Sequence, residues 1–200
     1  MKRCNWCAED PLYIKYHDED WGVPVYDDGK LFEMLILEGM QAGLSWITIL
    51  RRRENFYNTF DKFDPKKIAK YDDNKLNQIL QNPGIIRNRL KVFAVRQNAV
   101  AFLNTQKEFS GFKHYLWSFV NEKPQHNAWK NFKDIPTTTE ISDALSKDLK
   151  KRGFSFVGST ICYAYMQAVG LVNDHLMTCF RYKQLRTKSS LDAAKRNPGR

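Results

Sequence analysis

A single carboxylate in an otherwise apolar stretch is the most informative residue of this sequence. Glu38 follows the run Leu35–Leu37 and precedes Gly39 and Met40, where a carboxylate is costly to bury unless something compensates it. Two arrangements would do so. Either an arginine pairs with Glu38 inside the protein, or the carboxylate faces an empty site that takes a cationic or hydrogen-bond-donating ligand.

Large aromatic residues are concentrated in the first quarter of the chain, at Trp6, Tyr13, Tyr16, Trp21 and Trp46. Aromatic faces stack on nucleobases with about 1–3 kcal/mol per base, and they attract a cationic ring further. Taken one at a time, each of these residues could equally belong to the hydrophobic core. As a group around one buried acid, they predict a cage for a flat ligand.

A second kind of chemistry is indicated by His175 and Cys179, which are four residues apart and share one face if the segment is helical. Such a pair is half of a tetrahedral nitrogen and sulfur site. Cys4 and His17 are the best candidates for the other half, with Cys7 as the rival for the first position. The alternative is a half-buried histidine beside a core cysteine.

Two cysteines and two histidines would close the coordination shell, and a closed shell leaves no position for water. Such a zinc is structural and would tie the first twenty residues to the C-terminal helix. A catalytic zinc of the cytidine-deaminase type is not supported, because His17-Asp18-Glu19 lacks the required downstream Cys-x-x-Cys.

A helix, a glycine-bearing hairpin and a second helix predict a contact with a DNA backbone. Backbone N–H groups around Gly158, Ser159 and Thr160 could face phosphate oxygens at the start of the second helix. Basic residues just upstream would add screened attraction: Lys150, Lys151 and Arg152. The same pattern also occurs in plain connections between two helices.

Another basic cluster follows Pro83-Gly84 and consists of Arg87, Arg89 and Lys91. It is either a second contact to nucleic acid or a solvated helix face.

The elements that must position these residues are helical, and no sustained alternation demands a sheet, so the predicted class is all-α. The first thirty residues are predicted to be ordered but irregular. Start and stop signals predict helices after Asp27 or Asp28 through Leu31–Leu37, from Ser45 through Trp46, Ile49, Leu50, Phe56 and Phe60, after Asp64-Pro65, from about Ile86 to Leu103, from Asp143 to Gly153, and from Ser159 or Thr160 to Gly170.

Size and charge fit one basic globular domain. The chain has 200 residues, 42% of them hydrophobic, and a net charge of +10, which favours a polyanionic partner or marks an ordinary basic enzyme. No apolar run is long enough to span a bilayer and no signal segment is found, so a cytoplasmic protein with reduced cysteines is expected. Residues 1–180 are predicted to form the domain and residues 181–200 a basic, disordered tail.

Taken together, these segments resemble the 3-methyladenine DNA glycosylase I family, over roughly residues 1–180 and in the same order. The resemblance is carried by the following stretches: Cys4–Trp6, Asp10–Tyr13, Tyr16–Asp18, Trp21–Pro24, Leu31–Met34, Glu38-Gly39, Gln41–Trp46, Gly84–Arg87, Leu116–Asn121 and Ser142–His175.

The resemblance implies a helix-hairpin-helix DNA glycosylase fold with a structural zinc clip formed by Cys4, His17, His175 and Cys179, one zinc per chain. It implies that Glu38 and Tyr16 hydrogen-bond the excised base while Trp46 stacks on it, and that Trp6 and Trp21 line the pocket, to which the aromatic cluster adds Tyr13. In that family the stretch Gln41–Leu44, with Gln41, Gly43 and Leu44, would lie close to the gap left in the duplex.

The activity so implied is flipping and hydrolytic excision of 3-methyladenine from double-stranded DNA, with free 3-methyladenine as product. We expect a monofunctional enzyme, because no lysine lies at a recognisable Schiff-base position, and a monomer without a membrane partner. One position departs from the superfamily. Where a catalytic aspartate usually follows the second helix, this chain has Asn173 with Asp174 beside it, which leaves the general base unassigned. The rival classes are a non-catalytic DNA-binding module and a basic protein that docks on acidic proteins or membranes.

Overall fold

A computed structural model of the chain describes residues 1–7 and 9–187. Within these ranges the protein is mostly helical, which confirms the predicted dominance of helices. The bounds of the helices are α1 Pro11–Lys15, α2 Asp28–Gln41, α3 Trp46–Leu50, α4 Arg53–Thr59, α5 Pro65–Ile68, α6 Asp73–Ile79, α7 Arg89–Glu108, α8 Phe112–Ser118, α9 Glu140–Lys151 and α10 Ser159–Ala168.

Short turns of other helical types lie between these helices. Asn5–Cys7, Asp61–Phe63 and Phe132–Asp134 are 3₁₀ turns, and Tyr16–Asp20 is a π-helical turn that continues α1. Strands β1 (Gln125–His126) and β2 (Val172–Asn173) form one short parallel pair, in which Gln125 is opposite Val172. None of the helices among the described residues is long and apolar enough to cross a membrane.

Helix α2 forms the centre of the core, because every residue from Leu31 to Met40 is buried. Its start is fixed as predicted, with the Asp27 side chain accepting the Lys30 N–H at 2.8 Å. Helices α3, α7, α8 and α10 pack around it. A polar side chain on a helix that is buried on all sides needs a hydrogen-bonding or charged partner, because burial without one is costly. The surroundings of Glu38 therefore decide whether it is a structural or a ligand-binding residue.

Several predicted helices begin or end elsewhere; α9, for example, begins at Glu140 and not at Asp143. The apolar pattern from Trp46 to Phe60 is divided between α3 and α4, with a break at Arg51 and Arg52. The helix expected from Ile86 begins instead at Arg89, where the Asn88 side chain accepts the Lys91 N–H. Local capping prevailed over the apolar periodicity here.

The N-terminal segment is laid across the end of α10. Val25 N–H donates to the Val169 carbonyl at 3.1 Å and Gly22 N–H to the Gln167 carbonyl at 3.0 Å. Gly170 has φ +72°, and a β-carbon there would collide with the backbone of Val23 and Pro24, so only glycine fits. This contact joins the two ends of the chain beside the functional site.

The predicted disordered tail needs a correction in its first part. Residues 180–187 are helical, and Tyr182 and Leu185 are only 5% and 4% exposed. Two apolar side chains in an otherwise basic stretch are enough to anchor this turn on the core. The rest of the tail lies outside the described residues.

Candidate functional site

A cavity of about 380 Å³ lies between the N-terminal segment, α2, α3 and α10. The structure brings all six predicted base-binding residues to its wall. Its lining consists of Trp6, Tyr13, Tyr16, Trp21, Glu38, Gln41, Trp46, Phe132, Ile135, Pro136, Thr137, Ala164 and Gln167. This volume is in the range of sites for small ligands.

Glu38 reaches this cavity without a partner. Its side chain is 3% exposed, and neither an ion pair nor a hydrogen bond to it is found among the described residues. Arg53, which also contacts α2, binds Glu33 at 2.8 Å and Asp20 at 2.9 Å and does not pair with Glu38. Of the two arrangements considered for Glu38, the structure therefore has the carboxylate facing an empty site.

Loss of hydration raises the pKa of Glu38 to about 8, because a charge is poorly stabilised in a dry, ring-lined cavity. At neutral pH the empty site therefore favours the neutral acid. A cationic or N–H-donating ligand would favour the carboxylate, so ligand entry and ionisation of Glu38 are coupled.

The aromatic residues that line the cavity together with Glu38 pack against one another. The Trp6 ring centroid lies 5.0 Å from that of Tyr13 and 5.0 Å from that of Trp21, and Tyr16 lies 5.3 Å from Trp46. The indole Nε1 atoms of Trp6 and Trp46 are buried, and neither has a hydrogen-bond acceptor among the residues that the structure describes. Buried polar groups are usually satisfied, so these two donors and the Glu38 carboxylate together indicate that an incoming ligand completes the site.

The raised pKa of Glu38 makes a prediction about stability. Its carboxyl has an ordinary pKa of 4.5 when exposed and about 8 in the folded protein, so from about pH 4.5 upward the unfolded chain binds fewer protons. Stability is therefore lost at about 1.4 kcal/mol per pH unit as pH rises from about 4.5 to about 8, and this loss is complete above the folded pKa. Glu38→Gln lacks this loss, and its advantage in unfolding free energy should grow between pH 5 and pH 8 and then level off. Urea titrations at several pH values would measure it; an advantage of constant size would contradict it.

Sequence reasoning missed one whole wall of the cavity. Phe132, Ile135, Pro136 and Thr137 come from a turn-rich stretch without periodicity, and Phe132 remains 55% exposed at the mouth. Ala164 and Gln167 are also new. Their spacing of three on one helix was a usable signal, since it places both on the same face.

The loop after α2 lies at the edge of the cavity. Gln41 lines it and donates to the Leu44 carbonyl at 3.3 Å, Gly43 has φ +79°, and Leu44 is 39% exposed. Lys91 closes the end of α2 by donating from Nζ to the carbonyls of Met40 and Ala42.

Lys91 is therefore a buried helix cap, and it belongs to neither of the surfaces considered for the second basic cluster. Within that cluster, Arg89 is engaged with Asn77 at 2.6 Å and lies over the Phe93 ring. The basic cluster after Pro83-Gly84 is thus not a continuous cationic face.

Cys4, His17, His175 and Cys179 meet at one buried point, with their ligand atoms all within 4.8 Å of one another. Cys179 Sγ lies 3.5 Å from His17 Nε2 and 3.6 Å from His175 Nδ1, and Cys4 Sγ lies 3.7 Å from His175 Nδ1. A tetrahedral zinc shell places sulfur and nitrogen ligands about 3.5 Å apart. Donor type, number and spacing therefore fit a metal ion.

The outer contacts of this cluster also suit a metal. His17 Nδ1 lies 2.7 Å from Asp18, His175 Nε2 lies 3.0 Å from the Trp21 carbonyl, and Leu176 N–H donates to Cys4 Sγ; such partners fix the ring orientation of metal-binding histidines. Hydrogen bonds from Cys4 and from the two imidazoles lower the pKa of the Cys179 thiol. Cys7 is outside the cluster and donates its S–H to the Cys4 carbonyl.

The loop between α9 and α10 holds the residues predicted to contact a DNA backbone. Lys150 and Lys151 are exposed at the end of α9, and α10 begins after Gly158, which has no side-chain cap and open space around its α-carbon. The first N–H groups of α10, at Ser159 and Thr160, thus lack a side-chain partner at a helix start that favours anions.

Arg152 does not join this surface. Its guanidinium binds Glu108 at 2.8 Å and Asp148, and it lies 4.8 Å and 4.9 Å from the ring centres of Phe109 and Tyr115. An arginine held by two carboxylates and two rings fixes the end of α9 and is not available to a phosphate.

The pair Asn173 and Asp174 lies outside the cavity lining. Asp174 is 1% exposed and accepts from four donors: Asn127 Nδ2, Trp129 Nε1, the Tyr163 hydroxyl and Gln167 Nε2. Asn173 bonds His126 and the Tyr182 carbonyl. A carboxylate so fully engaged is a structural anchor, and neither residue is placed to act as a base in the cavity.

The described protein is mostly helical, and its aromatic cavity holds a buried acid beside the helices α9 and α10. These features define the class as a helical protein with a binding site for a flat ligand. The model of the methyladenine glycosylase family matches residues 6–182, and the chain belongs to this family. It is 53% identical to DNA-3-methyladenine glycosylase 1 of Escherichia coli (strain K12) over 182 residues, which cover 91% of this chain and 97% of that protein.

Two solved structures extend the comparison. A crystal structure of 3-methyladenine DNA glycosylase I is 54% identical and superposes with a TM-score of 0.88 over 90% of this chain and 98% of its own. A tyrosine-to-phenylalanine variant of a 3-methyladenine DNA glycosylase I in complex with 3-methyladenine is 36% identical, with a TM-score of 0.87 over 90% of this chain and 97% of its own.

Proposed function

We propose that this protein is a DNA repair glycosylase that excises 3-methyladenine from alkylated DNA and leaves an abasic site. The observation that carries the proposal is the unpaired, buried Glu38 carboxyl inside an aromatic cavity. Methylation at N3 makes adenine a cation, and a cation with N–H donors is the ligand that such an acid lacks. Family membership and the named relatives support the same activity.

The chemistry asks little acid–base help of the protein, because the charged base is already an activated leaving group. The nucleotide must be extruded from the duplex, which costs a few kcal/mol of unstacking. Inside the cavity Glu38 accepts hydrogen bonds from the base, Tyr16 contacts the same base, and Trp46 stacks on it, with Trp6, Tyr13 and Trp21 completing the wall. The bond between base and sugar breaks with its electron pair passing to the base, so that neutral 3-methyladenine is released. Water adds to the sugar carbon and gives up one proton to solvent.

DNA contacts are proposed for the loop between α9 and α10 and for the loop after α2. The N–H groups of Gly158, Ser159 and Thr160 bind backbone phosphate, and Lys151 adds attraction that salt would screen. Gln41, Gly43 and Leu44 occupy the space that the flipped nucleotide vacates. Arg152 acts only by fixing the end of α9, so it is not kept among the phosphate contacts.

We assign the helix-hairpin-helix DNA glycosylase fold, in which α9 and α10 are the two helices. The fold forms one domain of residues 1–180, and the helical turn that follows packs on it. Cys4, His17, His175 and Cys179 would hold one zinc ion with all four positions filled by protein. Such an ion stabilises the fold and supplies no chemistry at the base. A monomer acting in the cytoplasm on double-stranded DNA completes the proposal.

The decisive experiment incubates the purified protein with methylated duplex DNA and measures the released bases chromatographically. Release of 3-methyladenine with formation of abasic sites is expected. Gly158→Asp serves as a matched variant, because an added carboxylate should repel phosphate and weaken DNA binding while binding of free 3-methyladenine persists. A wild-type protein that binds this DNA and releases no base would instead be a binding module, and the proposed activity would be wrong.

A further inference from the structure

Gln167 is a cavity residue that the proposed mechanism does not use. It lies in the last turn of α10, lines the cavity with Ala164, and is partly buried. Its side-chain amide could in principle present either its nitrogen or its oxygen to a ligand, and the two atoms would select opposite hydrogen-bonding partners.

The orientation of this amide is fixed by Asp174. Gln167 Nε2 donates to Asp174 Oδ2 at 2.8 Å, and an ionised carboxylate can only accept, so the amide nitrogen must be the atom on that side. Asp174 does not line the cavity, whereas Gln167 does. Oε1 is then the atom left for the cavity, and no partner for it is found in the described part of the chain.

Asp174 is itself held immobile by Asn127, Trp129 and Tyr163. A carboxylate with four donors in a buried setting cannot rotate without leaving several of them unsatisfied, which is costly. The Gln167 amide is thus clamped by a rigid anchor, and it cannot flip to suit a ligand that offers an acceptor.

We propose that Gln167 is a specificity-determining residue whose clamped Oε1 accepts one N–H of the exocyclic amino group of the flipped 3-methyladenine, while Glu38 accepts the other. Adenine carries an amino donor at this carbon, whereas guanine carries an acceptor oxygen. Oxygen facing oxygen leaves both atoms unsatisfied in a dry site, so alkylated guanine is rejected. This assignment rests on the proposed function and names the feature that restricts its substrates.

The test compares bases released from the same methylated duplex, which contains both 3-methyladenine and 3-methylguanine, under single-turnover conditions. Gln167→Met keeps the length of the side chain and removes the amide, which means both the Oε1 acceptor and the Nε2 donor to Asp174. It should slow release of 3-methyladenine about tenfold, as expected for one lost hydrogen bond in a buried site, and leave release of 3-methylguanine unchanged or faster. The ratio of the two rates is the readout, since a general loss of stability would lower both.

Gln106→Met is the matched control, because Gln106 also donates from Nε2 to a carboxylate, that of Asp28, at 2.8 Å and outside the cavity. It should keep the wild-type ratio. Asp174→Asn frees the Gln167 amide to flip and should also lower the ratio of 3-methyladenine release to 3-methylguanine release. The metal content of this variant should be measured to show that neighbouring His175 is undisturbed. A wild-type ratio in Gln167→Met would overturn the assignment, whereas a wild type that releases neither base would overturn the proposed function itself.

Titration with free bases separates recognition from chemistry. Wild type should bind 3-methyladenine more tightly than 3-methylguanine, and Gln167→Met should lose about tenfold of that preference. Equal preference in the two proteins would contradict the role of Oε1 even if the excision rates differ.

Discussion

Glu38→Gln should slow release of 3-methyladenine from methylated DNA by about 100-fold or more. Glutamine has the size of glutamate but cannot become an anion, and removing one preorganised electrostatic group from a dry site typically costs 10²–10³ in rate. The effect is large here because Glu38 has no other partner in the described protein and only the charged base would complete its interactions. Quenched single-turnover assays measure it.

The control for this variant is DNA affinity. Glu38 is only 3% exposed, at the cavity wall, and it is not one of the residues proposed to contact phosphate. Binding of undamaged duplex should therefore be unchanged. Full excision activity in Glu38→Gln would show that charge at this position is unimportant, and the proposed role of the carboxylate would have to be abandoned.

Loss of a ligand of the proposed metal site should have the largest effect on stability. Cys179→Ala removes one of four buried ligands, and structural zinc sites contribute directly to folding free energy. We expect a loss of several kcal/mol, which for a domain of this size lowers Tm by about 10 °C or more. Differential scanning calorimetry and metal analysis of the same samples measure stability and occupancy together.

Cys7→Ala is the matched control, because Cys7 is equally buried and three residues from Cys4 but donates only to a backbone carbonyl. It should retain about one zinc per chain. A Cys179→Ala protein with unchanged Tm and metal content would disprove the clip, as would the absence of metal from the wild type.

The parts of the site that could be predicted from sequence are those where one residue type is out of place locally. Glu38 is conspicuous because an acid interrupts an apolar helix, and His175 with Cys179 because their spacing shares a helix face. Asp27 and Asp64 cap their helices as predicted, since capping depends on neighbours within one turn.

The parts that could not be predicted are fixed by contacts between distant segments. Residues 132–137 form one wall of the cavity. The chain just before them is fixed by the pairing of β1 with β2 and by the hydrogen bond from Trp129 to Asp174. The burial of Lys91 under α2 and the engagement of Arg152 with Glu108 likewise reverse the surface roles that local sequence suggested. Charge alone does not reveal whether a basic side chain faces solvent or an internal acceptor.

The contact between the N-terminal segment and the end of α10 has a consequence for the order of events during synthesis. The first segment supplies Trp6, Tyr13, Tyr16 and Trp21 to the cavity, and it is held by α10, by Gly170 and by the cluster that includes His175 and Cys179. A nascent chain on the ribosome has therefore made most of its aromatic wall long before the residues that hold it in place emerge. Repair capacity should appear only at the last stage of translation, and a chain released before His175 should have no organised base pocket.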